Sequence, residues 1–474
     1  MGHLELSSVR TSSRVLGTEL PVVALVGRPN AGKSTLFNRL VGERKAIVDE
    51  QPGVTRDWNV APVTYGDHRF LLVDTGGYTD REDSTVIQRV QEQTWLAAEE
   101  ADVIVALFDG REGLNPLDRD LADRLRRLAK PVVYAVNKLD HPVADVRSGE
   151  FFALGIDEIW SISATHGRGL DALMEKVLAL LPAPAGTRPQ SEGEAAPDEV
   201  VRLAIIGRPN VGKSSLLNRL VGYQRAIVDE QPGTTRDAID TTLQFGERTY
   251  ILIDTAGVRR RPKVRAIVER ASVVRALRAM ERAHIALLVI DAVEGMADQD
   301  ARLARYVWEA GRGLILVLNK WDAVDPRVKD PRYFHERLEE AYPFLADVPR
   351  VHLSARTGEG VPALFPTVER LFGRYRFRAR TAELNACLQA AVAKRAAPSK
   401  QGRPVRFFYA TQVDVMPPSI AVFTNHPESI PATYERYLAA EFRTRFRWGG
   451  IPVRLLFRAR ERSAAKGRHP SAVR

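Results

Sequence analysis

The sequence predicts an α/β protein with two mainly parallel sheets, each covered by helices on both faces, followed by a small α+β domain. Three observations support this fold class. One segment of the chain occurs twice, short apolar runs alternate with helical patterns around both copies, and the pattern changes after residue 373. Short apolar runs separated by helical segments are typical of a buried parallel sheet.

The repeated segment is rich in glycine and leads into a helical pattern. Residues 27–34 read Gly-Arg-Pro-Asn-Ala-Gly-Lys-Ser, and residues 207–214 differ from them only at Val211. Each copy follows an apolar run, at residues 22–26 or 203–206. This context distinguishes a true phosphate-binding loop, or P-loop, from a chance match. Because backbone N–H groups and a helix N-terminus attract phosphate, the repeat predicts two nucleotide sites.

Patterns along the chain divide it into six parts. We expect a flexible leader (1–19), a first nucleotide-binding domain (20–182), an acidic Pro/Gly linker (183–199), a second nucleotide-binding domain (200–373), a basic α+β domain (374–460) and a basic tail (461–474). The strand-like runs of the two large domains are 70–73, 103–108, 132–136, 159–162, 251–253, 285–290 and 314–318. The third domain is predicted as helix 383–396, strands 405–415 and 420–423, helix 432–446 and strand 452–457.

Composition agrees with a cytoplasmic protein of several domains, which we expect to be a monomer. Hydrophobic residues make up 45% and charged residues 27% of 474 residues, as in ordinary globular folds. The only cysteine, Cys387, excludes an internal disulfide framework and suits a reducing compartment. No apolar stretch reaches the ~18 residues that a membrane span needs, so no membrane partner is expected.

Positive charge is concentrated at the carboxyl terminus. Residues 374–474 contain 20 Lys and Arg against 6 Asp and Glu, while the whole chain carries a net charge of +10. Such a region favours a polyanionic partner. Arginines interleaved with aromatic residues suit RNA binding, but they equally suit a small core with charged edges. A basic face that simply contacts solvent is a further alternative.

Each P-loop is followed by residues suited to phosphate and magnesium chemistry. Lys33 and Lys213 are expected to reach the β- and γ-phosphates, and the hydroxyls of Ser34 and Ser214 to bind Mg²⁺. Later in each copy come Asp74-Thr75-Gly76-Gly77 and Asp254-Thr255-Ala256-Gly257, where the Asp holds Mg²⁺ through water and the glycine backbone meets the γ-phosphate.

Between the P-loop and this aspartate lies a threonine, Thr55 in the first copy and Thr235 in the second. Its hydroxyl can bind Mg²⁺ only while the γ-phosphate is present, which makes a switch. We expect Lys33, Lys213, Thr55 and Thr235 to be the catalytic residues.

Base recognition is predicted from a further pair of motifs. Asn137-Lys138-Leu139-Asp140 and Asn319-Lys320-Trp321-Asp322 each follow a strand-like run. A carboxylate accepts two hydrogen bonds from the N1–H and N2–H₂ edge of guanine, and adenine lacks that pair of donors. Ser163-Ala164 and Ser354-Ala355, each followed by Gly-x-Gly, supply a loop over the base. Five elements in the same order, twice, predict two guanine-nucleotide domains.

The candidate nucleotide-binding residues fall into two equivalent sets. In the first copy they are Gly27, Arg28, Pro29, Asn30, Ala31, Gly32, Lys33, Ser34, Thr35, Asp74, Thr75, Gly76, Gly77, Asn137, Lys138, Asp140, Ser163 and Ala164. In the second copy they are Gly207, Arg208, Pro209, Asn210, Val211, Gly212, Lys213, Ser214, Ser215, Asp254, Thr255, Ala256, Gly257, Asn319, Lys320, Asp322, Ser354 and Ala355. The candidate Mg²⁺ ligands among the sites are Ser34, Thr55, Asp74, Ser214, Thr235 and Asp254.

From about residue 21 to residue 458 the chain resembles the Der (EngA) family of bacterial double GTPases, within the wider translation-factor-related GTPases. The resemblance rests on the tandem motif sets, the linker and the Tyr-Ala-Thr-Gln sequence at 409–412 in a terminal KH-like domain. It implies GTP hydrolysis, GTP-dependent assembly of the large ribosomal subunit and contact with ribosomal RNA.

Two departures from familiar patterns qualify the resemblance. Residues 374–460 contain no Gly-x-x-Gly loop, through which standard KH domains clamp RNA. Where Ras-type GTPases place a water-orienting glutamine, this chain has Tyr78 and Val258, so slow intrinsic turnover is expected. In related GTPases with an asparagine at the position of Asn30 and Asn210, a bound K⁺ supplies positive charge near the phosphates. The resemblance therefore implies K⁺ here, although each Asn can instead simply shape a turn.

Other functions remain open at this point. A tRNA-modification GTPase uses a similar loop, but it needs a further domain and a terminal cysteine motif, and Cys387 stands alone. A regulatory module in which one domain binds GTP without hydrolysing it is a second alternative. Membrane-associated signalling would require an anchor that the sequence does not contain.

Overall fold

The computed structural model describes residues 20–42, 59–66, 68–75, 94–95, 97–182, 200–222, 240–253, 276–327, 329–400 and 403–459. The predicted leader, linker and tail lie outside the described residues. So do Thr55, Gly76, Gly77, Tyr78, Thr235, Asp254, Thr255, Ala256, Gly257 and Val258. Contacts divide the chain into two compact units, residues 1–204 with 224–283 and residues 205–223 with 284–474.

The first sheet has six strands in the order β2-β3-β1-β4-β5-β6. Its strands are β1 (Val22–Gly27), β2 (Asn59–Tyr65), β3 (His68–Asp74), β4 (Val103–Asp109), β5 (Val132–Asn137) and β6 (Ile159–Ser161). All neighbours are parallel except β2 and β3. The accompanying helices are α1 (Lys33–Gly42), α2 (Pro116–Arg127) and α3 (Leu170–Leu180), with a 3-10 segment at Pro142–Leu154.

The second sheet repeats this arrangement, with strand order β8-β9-β7-β10-β11-β12. Its strands are β7 (Val200–Ile206), β8 (Thr241–Phe245), β9 (Arg248–Ile253), β10 (Ile285–Asp291), β11 (Gly313–Asn319) and β12 (Arg350–His352). The helices are α4 (Lys213–Gly222), α5 (Asp298–Glu309), α6 (Pro331–Ala341) and α7 (Leu364–Arg376). Each of the seven strand-like runs predicted from the sequence coincides with a strand of the two sheets, although the run 159–162 extends one residue past β6, and the α/β fold class is confirmed.

The central strands are apolar because helices cover them on both sides. Every residue of β1, β4, β10 and β11 is buried, which leaves no solvent face and so no alternation of polar residues. Parallel strands bring their carboxyl ends to one edge of a sheet, where ligands bind in such folds. In the first sheet that edge holds the residues at the ends of β1, β4 and β5, namely Gly27, Asp109 and Asn137.

The terminal domain has the predicted α-β-β-α-β order. It consists of α8 (Thr381–Lys394), β15 (Phe407–Asp414), β16 (Ser419–Thr424), α9 (Ala432–Arg445) and β17 (Arg454–Ala459), with a short hairpin of β13 (Ser399–Lys400) and β14 (Arg403–Pro404) inserted after α8. Strand β16 is antiparallel to β15 and parallel to β17. In the described part of the chain, no helix is both long and apolar enough to cross a membrane.

A close backbone contact at Gly450 joins the terminal domain to the start of β11. Gly450 has φ +75°, and its carbonyl oxygen accepts a hydrogen bond from the Leu314 N–H at 2.9 Å. A Cβ at this position would lie 2.5 Å from the Pro349 Cδ and 2.9 Å from the Leu314 carbonyl oxygen. Neighbouring Trp448 is fully buried. The contact therefore depends on the absence of a side chain at residue 450.

Replacing Gly450 with Ala should loosen this contact. Strain at positive φ and overpacking together cost about 1–3 kcal/mol, and amide hydrogen exchange should accelerate in β11 and β17. Gly373→Ala is the matched control, because its Cβ would meet nothing within 4 Å. Equal exchange in the two variants would show that the close approach at residue 450 is not limiting.

Candidate nucleotide-binding sites

Each P-loop encloses a lysine whose ammonium group is bound by the loop itself. Lys33 is 6% exposed, and its Nζ donates hydrogen bonds to the carbonyl oxygens of Gly27 at 3.1 Å and Arg28 at 2.8 Å. Burial lowers the pKa of Lys33 to about 8, because desolvation disfavours the charged form. Lys213 Nζ makes the same two contacts in the second copy, at 2.7 and 2.5 Å. A bound phosphate would supply the negative charge that this buried ammonium group favours.

The backbone of both P-loops passes through the left-handed region twice. Asn30 and Asn210 have φ of 63° and 61°, and Gly32 and Gly212 have φ of 92° and 100°. Asparagine adopts this conformation more readily than most residues, so the turn by itself favours Asn at these positions. Both Asn side chains are nevertheless exposed, which leaves their oxygens accessible to a ligand.

A hydroxyl and a carboxylate meet beside the first P-loop. Ser34 Oγ donates a hydrogen bond to Asp74 Oδ2 at 2.7 Å, and Asp74 is buried at the end of β3. Neighbouring Thr75 is also buried and donates from its Oγ to the Leu25 carbonyl oxygen at 2.7 Å. Hard oxygen ligands of this kind suit Mg²⁺. The described residues therefore fit Mg²⁺, for which Ser34 would be a direct ligand with Asp74 beside it.

A buried asparagine in each domain connects the P-loop to the loop over the base. Asn137 Nδ2 donates to the Ala31 carbonyl oxygen at 2.8 Å, and its Oδ1 accepts from the Ala164 N–H at 2.9 Å. Asn319 makes equivalent contacts with Val211 at 2.7 Å and Ala355 at 2.9 Å. These side chains were predicted to belong to the base site, and in this structure they join its loops.

The lysine that follows this asparagine in each motif contacts an aspartate at the end of the neighbouring strand, β4 or β10. Lys138 Nζ lies 2.5 Å from Asp109 Oδ2, and Lys320 Nζ lies 2.5 Å from Asp291 Oδ2. Burial opposes ionisation of Asp109, but the hydrogen bond from Lys138 and two backbone N–H groups lower its pKa. The ion pair fixes the lysine stem against the edge of the sheet, where a stem of this length can cover a base.

The predicted guanine-binding carboxylates are ionised and held by serine. Ser163 Oγ donates to Asp140 Oδ1 at 2.8 Å, and Arg111 contacts Oδ2 at 2.5 Å. The hydrogen bond from Ser163, followed by that from Arg111, lowers the pKa of Asp140. Asp322 likewise has a lowered pKa, owing first to a hydrogen bond from Ser354 and then to Arg356. Because exposed arginines contact both carboxylates, a purine entering either site would compete with a flexible cation.

A buried ion pair supports each P-loop from behind. Arg28 Nε donates to Asp118 Oδ1 at 2.7 Å, and Arg208 Nε lies 2.8 Å from Asp300 Oδ2. Both carboxylates are fully buried, and burial raises the pKa of each. The second oxygen of Asp118 accepts the Asn115 N–H at 3.1 Å, which also caps α2. The arginine side chain therefore packs inward, and nucleotide binding by Arg28 and Arg208 stays a prediction for their backbone.

Many of the predicted nucleotide-binding residues therefore lie together at the carboxyl edges of the two sheets. Pro29, Thr35, Pro209, Ser214 and Ser215 lie on or directly after the P-loops, as predicted. Sequence reasoning missed Asp109, Asp118, Asp291, Asp300, Arg111 and Arg356. The repeat could have revealed the four aspartates, since each pair occupies equivalent places in both copies, at a strand end and in the first turn of a helix. The two arginines come from different loops, so the repeat gives no signal for them.

Fold and site together define a P-loop protein with two guanine-nucleotide domains. A family model described as 50S ribosome-binding GTPase matches residues 22–138 and 202–320. A second model, the KH-domain-like C-terminal region of EngA bacterial GTPase enzymes, matches residues 378–458.

Curated relatives cover nearly the whole chain. The GTPase Der of Geotalea daltonii is 47% identical over 441 residues, which span 93% of this chain and 98% of that protein. The GTPase Der of Trichlorobacter lovleyi is 47% identical over 447 residues, spanning 94% and 98%. The chain belongs to the GTPase Der family. It is therefore a GTP-binding GTPase with two GTPase domains, a KH-like terminal domain and the Mg²⁺ requirement general to such domains.

Changing Asp140 or Asp322 to Asn should alter base preference at one site only. The amide cannot accept both guanine donors, so GDP affinity at the altered site should fall about 10- to 100-fold. Xanthosine diphosphate should restore binding there, because its C2 carbonyl accepts the new amide N–H. Calorimetric titration of each variant with both nucleotides checks this. Loss of GDP binding at both sites from a single change would contradict independent domains.

Removing the Asp118 carboxylate should lower both the stability of the first domain and its affinity for GDP. Asp118→Ala leaves the Arg28 guanidinium buried and lacking its main partner, which costs about 3–5 kcal/mol, and GDP affinity at that site should fall at least roughly tenfold. Glu112→Ala is the control, because Glu112 is the exposed partner of the same arginine at 2.9 Å and should cost less than about 1 kcal/mol. Equal effects in chemical denaturation and GDP titration would exclude a supporting role for Asp118.

Proposed function

We propose that the chain binds and hydrolyses GTP at two independent sites, and that nucleotide state controls its association with the large ribosomal subunit during assembly of that particle. The observation that carries the proposal is the repeated base site, in which a serine hydroxyl, Ser163 or Ser354, donates a hydrogen bond to the candidate guanine-binding carboxylate, Asp140 or Asp322. The description of the matching family model as a 50S ribosome-binding GTPase supports the choice of partner. We further propose that the protein is a cytoplasmic monomer.

The chemistry assigned to the sites depends on positioning and charge. Lys33 and Lys213 bind the β- and γ-phosphates, exchanging their present carbonyl contacts for phosphate oxygens. Ser34 and Ser214 would hold Mg²⁺, with Asp74 and Asp254 as further candidate ligands, and the bound metal would supply positive charge where negative charge develops on the phosphate oxygens. The hydroxyls of Thr55 and Thr235 would bind Mg²⁺ only while the γ-phosphate is present, so these residues report which nucleotide is bound. The candidate residues at 76–77 and 254–257 would contact the γ-phosphate.

Hydrolysis by these sites should be slow without a further positive charge. Tyr78 and Val258 replace the glutamine that orients water in Ras-type GTPases. We propose that K⁺ bound near Asn30 and Asn210 provides the missing charge. The exposure of both Asn side chains supports this assignment, and their left-handed backbone gives the competing explanation. The two explanations can be separated by substitution, because glycine keeps the turn and removes the oxygen.

GTP hydrolysis should therefore be faster in KCl than in NaCl at equal ionic strength, by at least roughly tenfold, a fraction of the 10³–10⁵ that an arginine finger contributes. In the double variant Asn30→Gly and Asn210→Gly, GDP binding should survive and the difference between the salts should disappear. Phosphate release assays in both salts measure the effect. Persistence of the potassium effect in the glycine variant would assign it elsewhere.

The proposed ribosomal contact draws on the charge of the terminal region. Residues 374–474 carry an excess of 14 positive charges, from 20 Lys and Arg against 6 Asp and Glu. Such a region attracts RNA with a strong dependence on salt. Ordering of the segments around Thr55 and Thr235 would change the surface presented to the particle, which is the expected route from nucleotide to binding.

Co-sedimentation with large subunits should differ between GDP and a non-hydrolysable GTP analogue. Lys33→Ala and Lys213→Ala should each reduce that difference, because each removes the phosphate-binding ammonium at one site. Lys176→Ala is the control. Lys176 lies outside the P-loop, and its Nζ is 2.5 Å from Glu158 Oε2. Identical binding in both nucleotides across a salt series would mean that the GTPase domains do not control the contact.

A further inference from the structure

The sheet of the terminal domain carries a row of three side chains, Tyr409, Phe423 and Arg458, which we call the aromatic row. Tyr409 on β15 pairs with Phe423 on β16, and Phe423 pairs with Arg458 on β17. Residues paired across a sheet point to the same face. The Tyr409 and Phe423 rings stack, with centroids 4.3 Å apart and planes 14° from parallel. Tyr409 is 41% exposed and Arg458 is exposed.

The opposite face of this sheet is the one that carries the core. Ala410 and Val422, which pair with each other, are fully buried there. Because β15 has a bulge between Phe407 and Tyr409, the side chains of these two residues point to different faces of the sheet. Phe407 stacks on Tyr434 of α9, with ring centroids 5.7 Å apart. The exposed ring of Tyr409 and the half-buried ring of Phe423 therefore lie on the face opposite to these core contacts.

Charge around the row favours a polyanion. Arg458 lies at one end of it, and the sequence region 374–474 to which the row belongs contains 20 Lys and Arg against 6 Asp and Glu. Flat aromatic rings beside arginine form the surface on which unpaired bases stack, while the cation contacts phosphate. A duplex hides its base faces and would not use the rings. The sequence of this domain also contains no Gly-x-x-Gly clamp, so RNA contact requires a different surface from that of standard KH domains.

We propose that the aromatic row binds single-stranded RNA, with bases stacked on Tyr409 and Phe423 and a phosphate on Arg458. This deepens the proposed function, on which it rests, by naming the surface that contacts RNA. An unstructured segment or a loop of ribosomal RNA would offer the required unpaired bases.

The first test measures binding of fluorescein-labelled decauridine to the full-length protein by anisotropy. Tyr409→Ala should weaken binding roughly 5- to 150-fold, the range for loss of one base–aromatic stack, whereas Tyr409→Phe should retain it. Tyr333→Ala is the matched control, because Tyr333 is the same residue type with the same 41% exposure in the second GTPase domain. Unchanged binding in Tyr409→Ala would overturn the proposal.

A second test uses the unaltered protein and does not depend on how any variant folds. Decauridine containing 5-iodouridine, irradiated in the complex, should cross-link to Tyr409 or Phe423 in peptides mapped by mass spectrometry. Cross-links confined to other regions would overturn the assignment. A hairpin duplex of equal charge should compete poorly, and competition equal to that of the single strand would also overturn it.

Arg458→Ala should weaken decauridine binding and reduce the salt slope by about 0.7, the value for one phosphate contact on a single strand. A slope equal to that of the unaltered protein would remove Arg458 from the site. Failure of the proposed ribosomal function has a different signature. In that case the protein would not co-sediment with large subunits in any nucleotide state, while its oligonucleotide binding and sensitivity to Tyr409→Ala would persist.

Discussion

The side-chain amide of one buried asparagine in each GTPase domain joins the loops on which the nucleotide site depends. Asn137 donates to the P-loop at Ala31 and accepts from the base loop at Ala164, and Asn319 repeats both bonds. A single rigid amide therefore fixes the distance between the phosphate end and the base end of each site. The contact is so close that a Cβ on Gly32 would lie 2.2 Å from the Asn137 nitrogen. The second glycine of the P-loop is thus required by packing as well as by its positive φ.

Around this connection each site combines rigid and exchangeable parts. The buried ion pair of Arg28 with Asp118 anchors the P-loop from behind, and the pair of Lys138 with Asp109 anchors the base motif. Lys33, in contrast, donates its hydrogen bonds to loop carbonyl oxygens that phosphate can replace. This division suits a site whose framework stays in place while charges are exchanged with the nucleotide. Since the second domain repeats it, the same physical account holds for both.

Much of this could be predicted from the sequence, because repeated motifs at strand ends constrain both fold and chemistry. The strand runs, the two P-loops and the terminal α-β-β-α-β order were all correctly predicted. The inward packing of Arg28 was not, because the motif gives residue types without the long-range partner Asp118. The bulge between Phe407 and Tyr409 was also missed, since the run of apolar residues 407–410 does not show where the strand breaks its register. Such features depend on contacts between distant segments, which a local pattern does not contain.

The most direct test of the central connection is amide hydrogen exchange in Asn137→Asp, without nucleotide. The carboxylate keeps the size of the side chain but places an oxygen against the Ala31 carbonyl oxygen. The account predicts faster exchange at Ala31 and Leu36 in the P-loop, which loses its hydrogen bond from residue 137, and at Ala164 because repulsion from the Ala31 oxygen displaces the carboxylate that accepts its N–H, with the second domain unchanged. Weaker GDP binding combined with native exchange rates in the P-loop would contradict it, because Asn137 would then act on the nucleotide alone.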